Sequence, residues 1–304
     1  MPFFSVCISS FDRSETIETT LKSLSLQEFK DFEVIIVDCS STDNTVEKIQ
    51  HFFNSDFFKK HPFTYQFVQR DYEPQTVEDW NEPVKLASGK YIAMLEGDDQ
   101  FLPDHLEKVY KTLVEAPKIG IFATGNQNGA RKKQGLFKSQ DYFEYLYTLK
   151  EVPPPSEAIF LRLNKQGNPY YYNDKDFIYA PEIDLYMRIA LDGFDTFIAP
   201  SQGVIRDVKV KSRAKWKYYA DHYYILDKYR SFQKGTDVYH EVKREIDSKA
   251  YMAFVYDWLY YKTSERKALK ENLIKRYGSF NFYLNTTKGI FAAVYKGIIK
   301  RILK

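Results

Sequence analysis

A chain of 304 residues, 44% hydrophobic and 28% charged, has the length and make-up of a soluble globular protein: one large domain, or one domain with appendages. Its formal charge of +3 gives no case for a nucleic-acid partner, and two cysteines are too few for a disulfide framework. Cys7 and Cys39 both fall in strand-like runs and read as buried free thiols of a reducing compartment. No run reaches the 18 or so apolar residues of a membrane span. The start Met1-Pro2-Phe3-Phe4-Ser5-Val6 lacks a basic, signal-type leader, so the expected location is the cytoplasm.

In chain order, Phe4 to Ser10 reads as a first strand, followed by the loop Phe11-Asp12-Arg13. Ser14 with an acid just after it opens a helix that continues through Ile17, Leu21 and Leu24. Phe32 to Asp38 is almost continuously apolar, as parallel strands tend to be, and a polar turn from Cys39 to Thr45 leads into a helix with Val46 and Ile49. Phe63 to Val68 alternates like a third strand. Trp80, Val84, Leu86 and Ala87 suggest a helix closed by Gly89 before a fourth strand at Tyr91. Strands alternating with helices in this way call for a parallel, doubly wound sheet. Beyond Pro103 come a helix (Leu106, Val109, Tyr110, Leu113) and an apolar strand from Ile119 to Ala123.

Residues 125 to 175 read as irregular, with Arg131-Lys132-Lys133, Pro153-Pro154-Pro155 and Tyr170-Tyr171-Tyr172 as their landmarks. Such a span inside a compact fold builds a binding surface, where tyrosine rings either stack on a sugar or pack in the core. Pro181, at the first position of a helix, opens the segment Glu182 to Leu191, ended by Gly193. From about Val204 the chain is mostly helical, polar and tyrosine-rich.

The fourth strand ends in Glu96-Gly97-Asp98-Asp99. Carboxylates at the carboxyl end of a buried strand lie where open α/β sheets bind ligands, and clustered there they repel one another unless a cation joins them. With no Cys or His nearby, the cluster suits Mg²⁺ or Mn²⁺ held by Asp98 and Asp99 and shared with substrate phosphates. An isolated run of this kind also suits a solvated acidic turn. Asp38 closes the second strand on the same sheet edge, and Glu182 and Asp184 open a later helix. No G-x-G-x-x-G follows the first strand and no P-loop pattern appears, so dehydrogenase and P-loop readings lose their main support.

In this order the motifs resemble those of family 2 glycosyltransferases, which have the GT-A fold. The resemblance covers residues 4 to about 110 and rests on Ser9-Ser10-Phe11-Asp12, Val37-Asp38-Cys39-Ser40-Ser41, Thr42-Asp43-Asn44-Thr45, Asn81, Ala87-Ser88-Gly89-Lys90-Tyr91-Ile92 and Glu96-Gly97-Asp98-Asp99. It implies an α/β GT-A fold, a doubly wound and mostly parallel sheet flanked by helices, with a helical C-terminal extension. Residues 1–120 would then form the nucleotide-sugar-binding half and 121–205 the acceptor and catalytic-base half, leaving 206–304 as a basic loop and helical extension.

What the resemblance implies is an inverting, metal-dependent transfer of a hexosyl or N-acetylhexosaminyl group. The donor is a nucleoside diphosphate sugar, with UDP preferred, and the acceptor a hydroxyl of a glycan in lipid-linked surface polysaccharide synthesis. The implied donor-binding set includes Ser9, Phe11, Asp38, Asn81 and Asp98, with Asp38 on the base and Phe11 lining its pocket. Asp98 and Asp99 take the metal positions. Glu96 and Cys39 stand where the family has aspartates, and the histidine common after the last core strand is missing. Arg206, first of the basic run Arg206, Lys209, Lys211, Arg213 and Lys215, is the substitute on the diphosphate; the same run also suits an edge strand guarded by lysines. Glu182 and Asp184 are both candidate bases. Glu182 is preferred, since Asp184 can meet the helix dipole and pair with Arg188. These departures keep open a second class of reading, a non-catalytic GT-A protein that holds a sugar nucleotide or serves as a scaffold. A nucleotidyltransferase lacks its Gly/Lys-rich phosphate loop.

At the C-terminus, Phe291, Tyr295, Ile298 and Ile302 form one helical stripe and Lys296, Lys300 and Lys304 another. Two alternatives stay open for this helix. It lies peripherally on the inner face of the cytoplasmic membrane, or it docks on the core or on a second subunit as in a homodimer.

Overall fold

Long apolar runs in the first hundred residues become the centre of a sheet, because their side chains are buried on both faces. The computed structural model describes residues 1–72, 76–149, 151–177, 180–206, 215–233 and 237–246. The chain divides into two units, Met1–Val210 and Lys211–Lys304. The first unit opens with β1 (Phe4–Ser10), α1 (Ile17–Ser25), β2 (Phe32–Cys39), α2 (Thr45–Asn54), α3 (Asp56–Lys60), β3 (Thr64–Arg70), α4 (Thr76–Leu86) and β4 (Tyr91–Met94). It continues with β5 (Gln100–Phe101), α5 (His105–Glu115), β6 (Ile119–Asn126), β7 (Gly135–Phe137) and α6 (Ser139–Tyr147). After a 3-10 turn at Pro155–Glu157 come β8 (Ala158–Leu161), α7 (Pro181–Leu191) and β9 (Asp195–Ile205).

The strands form one sheet in the order β3-β2-β1-β4-β8-β6-β9-β5, with β7 on β9. β1, β2, β3 and β4 are mutually parallel, and the register runs from Phe4 opposite Phe32 to Ser10 opposite Asp38. Their carboxyl ends therefore share one edge. α1 covers them with Ile17, Leu21 and Leu24, all fully buried, each contributing about 1.5–3 kcal/mol by burial. Gly89 is required at the start of β4. A Cβ there would meet Ser5 N at 2.6 Å and the Phe4 carbonyl carbon at 2.7 Å, backbone atoms that cannot yield.

The second half of the sheet is mixed rather than parallel. β8 enters antiparallel between β4 and β6, while β6 and β9 pair in parallel. The irregular span expected over 125 to 175 is thus corrected: it holds β7, α6, the 3-10 turn and β8. β7 and β8, three and four residues long, are too short to show a period. In α6 the buried positions are Tyr142, Phe143, Leu146 and Tyr147, at helical spacing but half of them tyrosine, which reads as surface. β9 runs for 11 residues through Pro200 and Gly203, residues that normally end a strand pattern. It keeps its length by pairing with β5, β6 and β7 in turn. Tyr170 and Tyr172 are buried in the core, so for these two rings packing is the observed use, while Tyr171 is half-buried.

The second unit holds α8 (Lys215–Lys228) and a helical stretch over 237–246. Within it, Tyr239 Oη donates to Asp227 at 2.8 Å, and the Arg230 guanidinium lies 4.2 Å from the Tyr239 ring centre. The helical character expected after Val204 is met in these stretches. Residues 207–214, with the lysines after Arg206, and the basic C-terminal stripe lie outside the described residues. No helix among the described residues is long and apolar enough to cross a membrane.

Candidate active site

Two loops that leave the parallel strands are tied together at the shared edge. Asp38, buried at the end of β2, accepts from Ser41 N at 3.0 Å and from Ser41 Oγ at 2.6 Å. Asp12 Oδ1 accepts from Thr42 N at 2.8 Å, Arg13 N donates to Thr45 Oγ1 at 2.7 Å, and Ser14 N donates to Asp43 Oδ2 at 3.1 Å. Partial burial opposes ionisation of Asp43, but hydrogen bonds from Thr45 and Ser14 win and hold its carboxyl down at about 2.

Phe11 stands exposed above this knot. Ser9 Oγ lies 3.8 Å from Cys39 Sγ, which is 3.9 Å from Tyr72 Oη, and Tyr72 donates to Asp79 at 3.0 Å. Burial, then the charge of Asp79, pushes the Cys39 thiol up to about 11. Cys39 is therefore a neutral neighbour of Ser9. Asn81 lies further back. Its amide bonds both backbone groups of Tyr172, at 2.8 Å each.

Glu96, Asp98 and Asp99 converge just past β4, each offering a carboxylate oxygen within 4.8 Å of the others. Arg13 Nε is 3.6 Å from Asp98 Oδ2. Arg206, at the end of β9, reaches in with Nε 3.5 Å from Asp99, Nη2 3.8 Å from Glu96 and Nη1 3.7 Å from Glu157. Desolvation, then the nearby Asp99 charge, pushes the Glu96 carboxyl up to about 7, with Arg206 opposing.

Sequence reasoning missed Glu157. This buried carboxylate lies two residues after the proline run and receives Arg131 Nη2 at 2.5 Å and Asn126 Nδ2 at 2.7 Å. Arg131 also donates through Nε to the Thr124 carbonyl at 2.9 Å. The basic patch at Arg131-Lys132-Lys133 carried a signal, but only a contact 26 residues away shows what it serves.

Glu182 and Asp184 are both buried in the first turn of α7. Asp184 is engaged by Arg188 Nε at 2.8 Å, one turn on, as its spacing suggested. The Tyr172 phenol is buried, and its proton is held more tightly than usual, first by burial and then by the charge of Glu182. The structure thus brings Asp98, Asp99, Glu96 and Arg206 together, while Glu182 is buried at the start of α7. Asp38, Ser9 and Phe11 lie along the same strand ends.

The cluster fits a divalent metal ion on its own chemistry. Its donors are all hard carboxylate oxygens, and a guanidinium already stands among them as a cation.

An open sheet with parallel strands at its amino-terminal half, β8 inserted antiparallel and acids at the strand ends defines a GT-A fold. The mannosyltransferase PcManGT from Pyrobaculum calidifontis, solved with GDP-Man and Mn²⁺, shares it at a TM-score of 0.60 with 16% identity, over 98% of this chain and 87% of that one. The family described as Glycosyl transferase family 2 matches residues 5–192, and the chain belongs to it. It is 26% identical over 183 residues to the Campylobacter jejuni GalNAc(5)-diNAcBac-PP-undecaprenol beta-1,3-glucosyltransferase, over 58% of this chain and 58% of that one. With the Escherichia coli UDP-Glc:alpha-D-GlcNAc-diphosphoundecaprenol beta-1,3-glucosyltransferase WfaP it shares 30% over 102 residues, covering 34% of this chain. The chain spans 58% and 38% of the lengths of these two relatives.

Proposed function

We propose that the chain is an inverting glycosyltransferase that moves a sugar from a UDP-sugar to a hydroxyl of a lipid-linked glycan. The observation that carries this reading is the Glu96-Asp98-Asp99 cluster, met by Arg13 and Arg206 at the carboxyl end of β4. Family membership and the two relatives named for undecaprenol-linked acceptors support it.

Asp38 and the exposed ring of Phe11 hold the base, and Ser9 lies beside them. Asp98 and Asp99 would hold a divalent ion, Mn²⁺ or Mg²⁺, which would supply charge neutralisation on the diphosphate. Asn81 acts at a distance, by fixing the segment that carries Tyr172. Glu182 takes the proton of the acceptor hydroxyl as its oxygen attacks the anomeric carbon. The bond from that carbon to the phosphate oxygen breaks, and Arg206 and Arg13 meet the charge left on the nucleoside diphosphate. One displacement inverts the anomeric centre without a covalent intermediate.

The test is thermal stability with UDP, dTDP, GDP and CDP, each with and without Mn²⁺, on the wild type and Asp99→Asn. A ligand at a hundredfold excess over its Kd adds about 2.7 kcal/mol. A Mn²⁺-dependent shift with UDP alone, absent from Asp99→Asn, is expected. No shift with any nucleotide would favour a domain without catalysis, and a shift with GDP alone would move the donor class.

A further inference from the structure

Arg206 combines a fixed backbone with a guanidinium that holds no neighbour tightly. Gln127 grips its peptide from both sides: Gln127 Oε1 accepts from Arg206 N at 2.8 Å, and Nε2 donates to the Arg206 carbonyl at 2.5 Å. The guanidinium, in contrast, stays 3.5 to 3.8 Å from Asp99, Glu157 and Glu96. Its Nε is buried without a hydrogen bond among the described residues. Glu157 does not need it, because Arg131 and Asn126 already engage both of its oxygens at 2.5 and 2.7 Å. Arg206 is thus anchored at its root and placed by charge alone at its tip.

A side chain so placed answers the repulsion among Glu96, Asp98 and Asp99. It also occupies the electrostatic position a divalent ion would take, and two cations cannot share the same carboxylates without repelling each other. A diphosphate resolves this conflict, since its oxygens accept the planar donor pair of a guanidinium better than loosely held carboxylates do. We infer that Arg206 is the built-in counter-ion of the acidic cluster, and that the donor's diphosphate draws it away so that metal ion and nucleotide bind cooperatively. The inference rests on the metal and donor assignments proposed above. By linkage, each ligand then raises the affinity of the other by the same factor.

The experiment is titration of the full chain with Mn²⁺, following free Mn²⁺ by electron paramagnetic resonance, with and without saturating UDP. In the wild type, UDP should tighten Mn²⁺ binding by about tenfold or more. Arg206→Gln should bind Mn²⁺ alone about tenfold more tightly than the wild type, with most of the coupling to UDP lost. Gln127→Ala keeps every carboxylate and frees the anchor, so it should move in the same direction by less. Unchanged Mn²⁺ affinity in both variants, or a wild type in which UDP leaves Mn²⁺ binding untouched, overturns the inference while the metal site stands. Mn²⁺ binding that Asp99→Asn leaves intact overturns the site assignment itself, and the inference with it.

Discussion

Asn81 and Tyr172, 91 positions apart, are joined by a two-pronged amide clamp: Asn81 Oδ1 accepts from Tyr172 N and its Nδ2 donates to the Tyr172 carbonyl, both at 2.8 Å. The clamp fixes α4 to the segment leading into α7. Asn81→Ala leaves two buried backbone groups without partners, at about 1–3 kcal/mol each. The expected result is a fall in the urea midpoint equivalent to about 2–4 kcal/mol. A variant with unchanged stability and a raised KM for the donor would make Asn81 a direct substrate contact.

Gly203 on β9 lies against His105 on α5. A Cβ at position 203 would meet His105 Nδ1 at 2.2 Å and Thr124 Oγ1 at 2.9 Å. Gly203→Ala should therefore cost about 1–3 kcal/mol through overpacking. His105→Ala in the same chain should recover part of that loss, which a double-mutant cycle in urea would measure.

The same histidine predicts an acid-sensitive fold. Burial, with Lys108 adding and Asp104 opposing, lowers the His105 pKa from 6.5 to about 4. The native state keeps the ring neutral while the unfolded chain takes up a proton below about 6.5. The stability it preserves is complete above that pH and falls away as the pH drops toward 4, by a total on the order of 3 kcal/mol. His105→Gln should flatten the difference between urea midpoints at pH 7 and pH 5. Equal pH slopes in the two proteins would refute the assignment.

Glu182 and Asp184 should separate cleanly by mutation. Glu182→Gln should lower kcat by about 10²- to 10⁴-fold and keep the nucleotide-induced thermal shift. Asp184→Asn removes the charge facing Arg188 inside the protein, so its main effect should be a lower melting temperature. Turnover on an identified acceptor, read beside the melting curves, decides between them. A reversed pattern would move the base to Asp184.

The tail prediction comes from the sequence pattern alone. A chain ending at Thr287 should lose binding to vesicles rich in anionic lipid relative to the full chain, in co-sedimentation at low salt. Unchanged partition would remove the membrane role of the stripe from Phe291 to Ile302.

The parallel half was legible because β1, β2 and β4 are buried on both faces, whereas the exposed edge strand β3 showed itself by alternation. β1 and β4 begin where their apolar runs begin, and the helix opened by Pro181 has the expected ends. The acidic cluster was legible because its residues fall within four positions of the chain. β7, β8 and α6 were not: two are shorter than a recognisable period, and the third buries tyrosines. Glu157 was invisible because its partners Asn126, Arg131 and Arg206 lie 26 to 49 residues away. The clamps at Asn81 and Gln127 were hidden for the same reason, since an amide that serves a remote backbone looks like any surface amide.

The order in which the chain is made adds a consequence. Glu96, Asp98 and Asp99 leave the ribosome about a hundred residues before Arg206, an interval of roughly 5–20 s at ordinary synthesis rates. During it the chain has Arg13 but not Arg206 to set beside these carboxylates, and β4 has no β8 to cover its edge. Until β8 emerges, that unpaired edge is where the growing polypeptide is exposed to pairing with other chains.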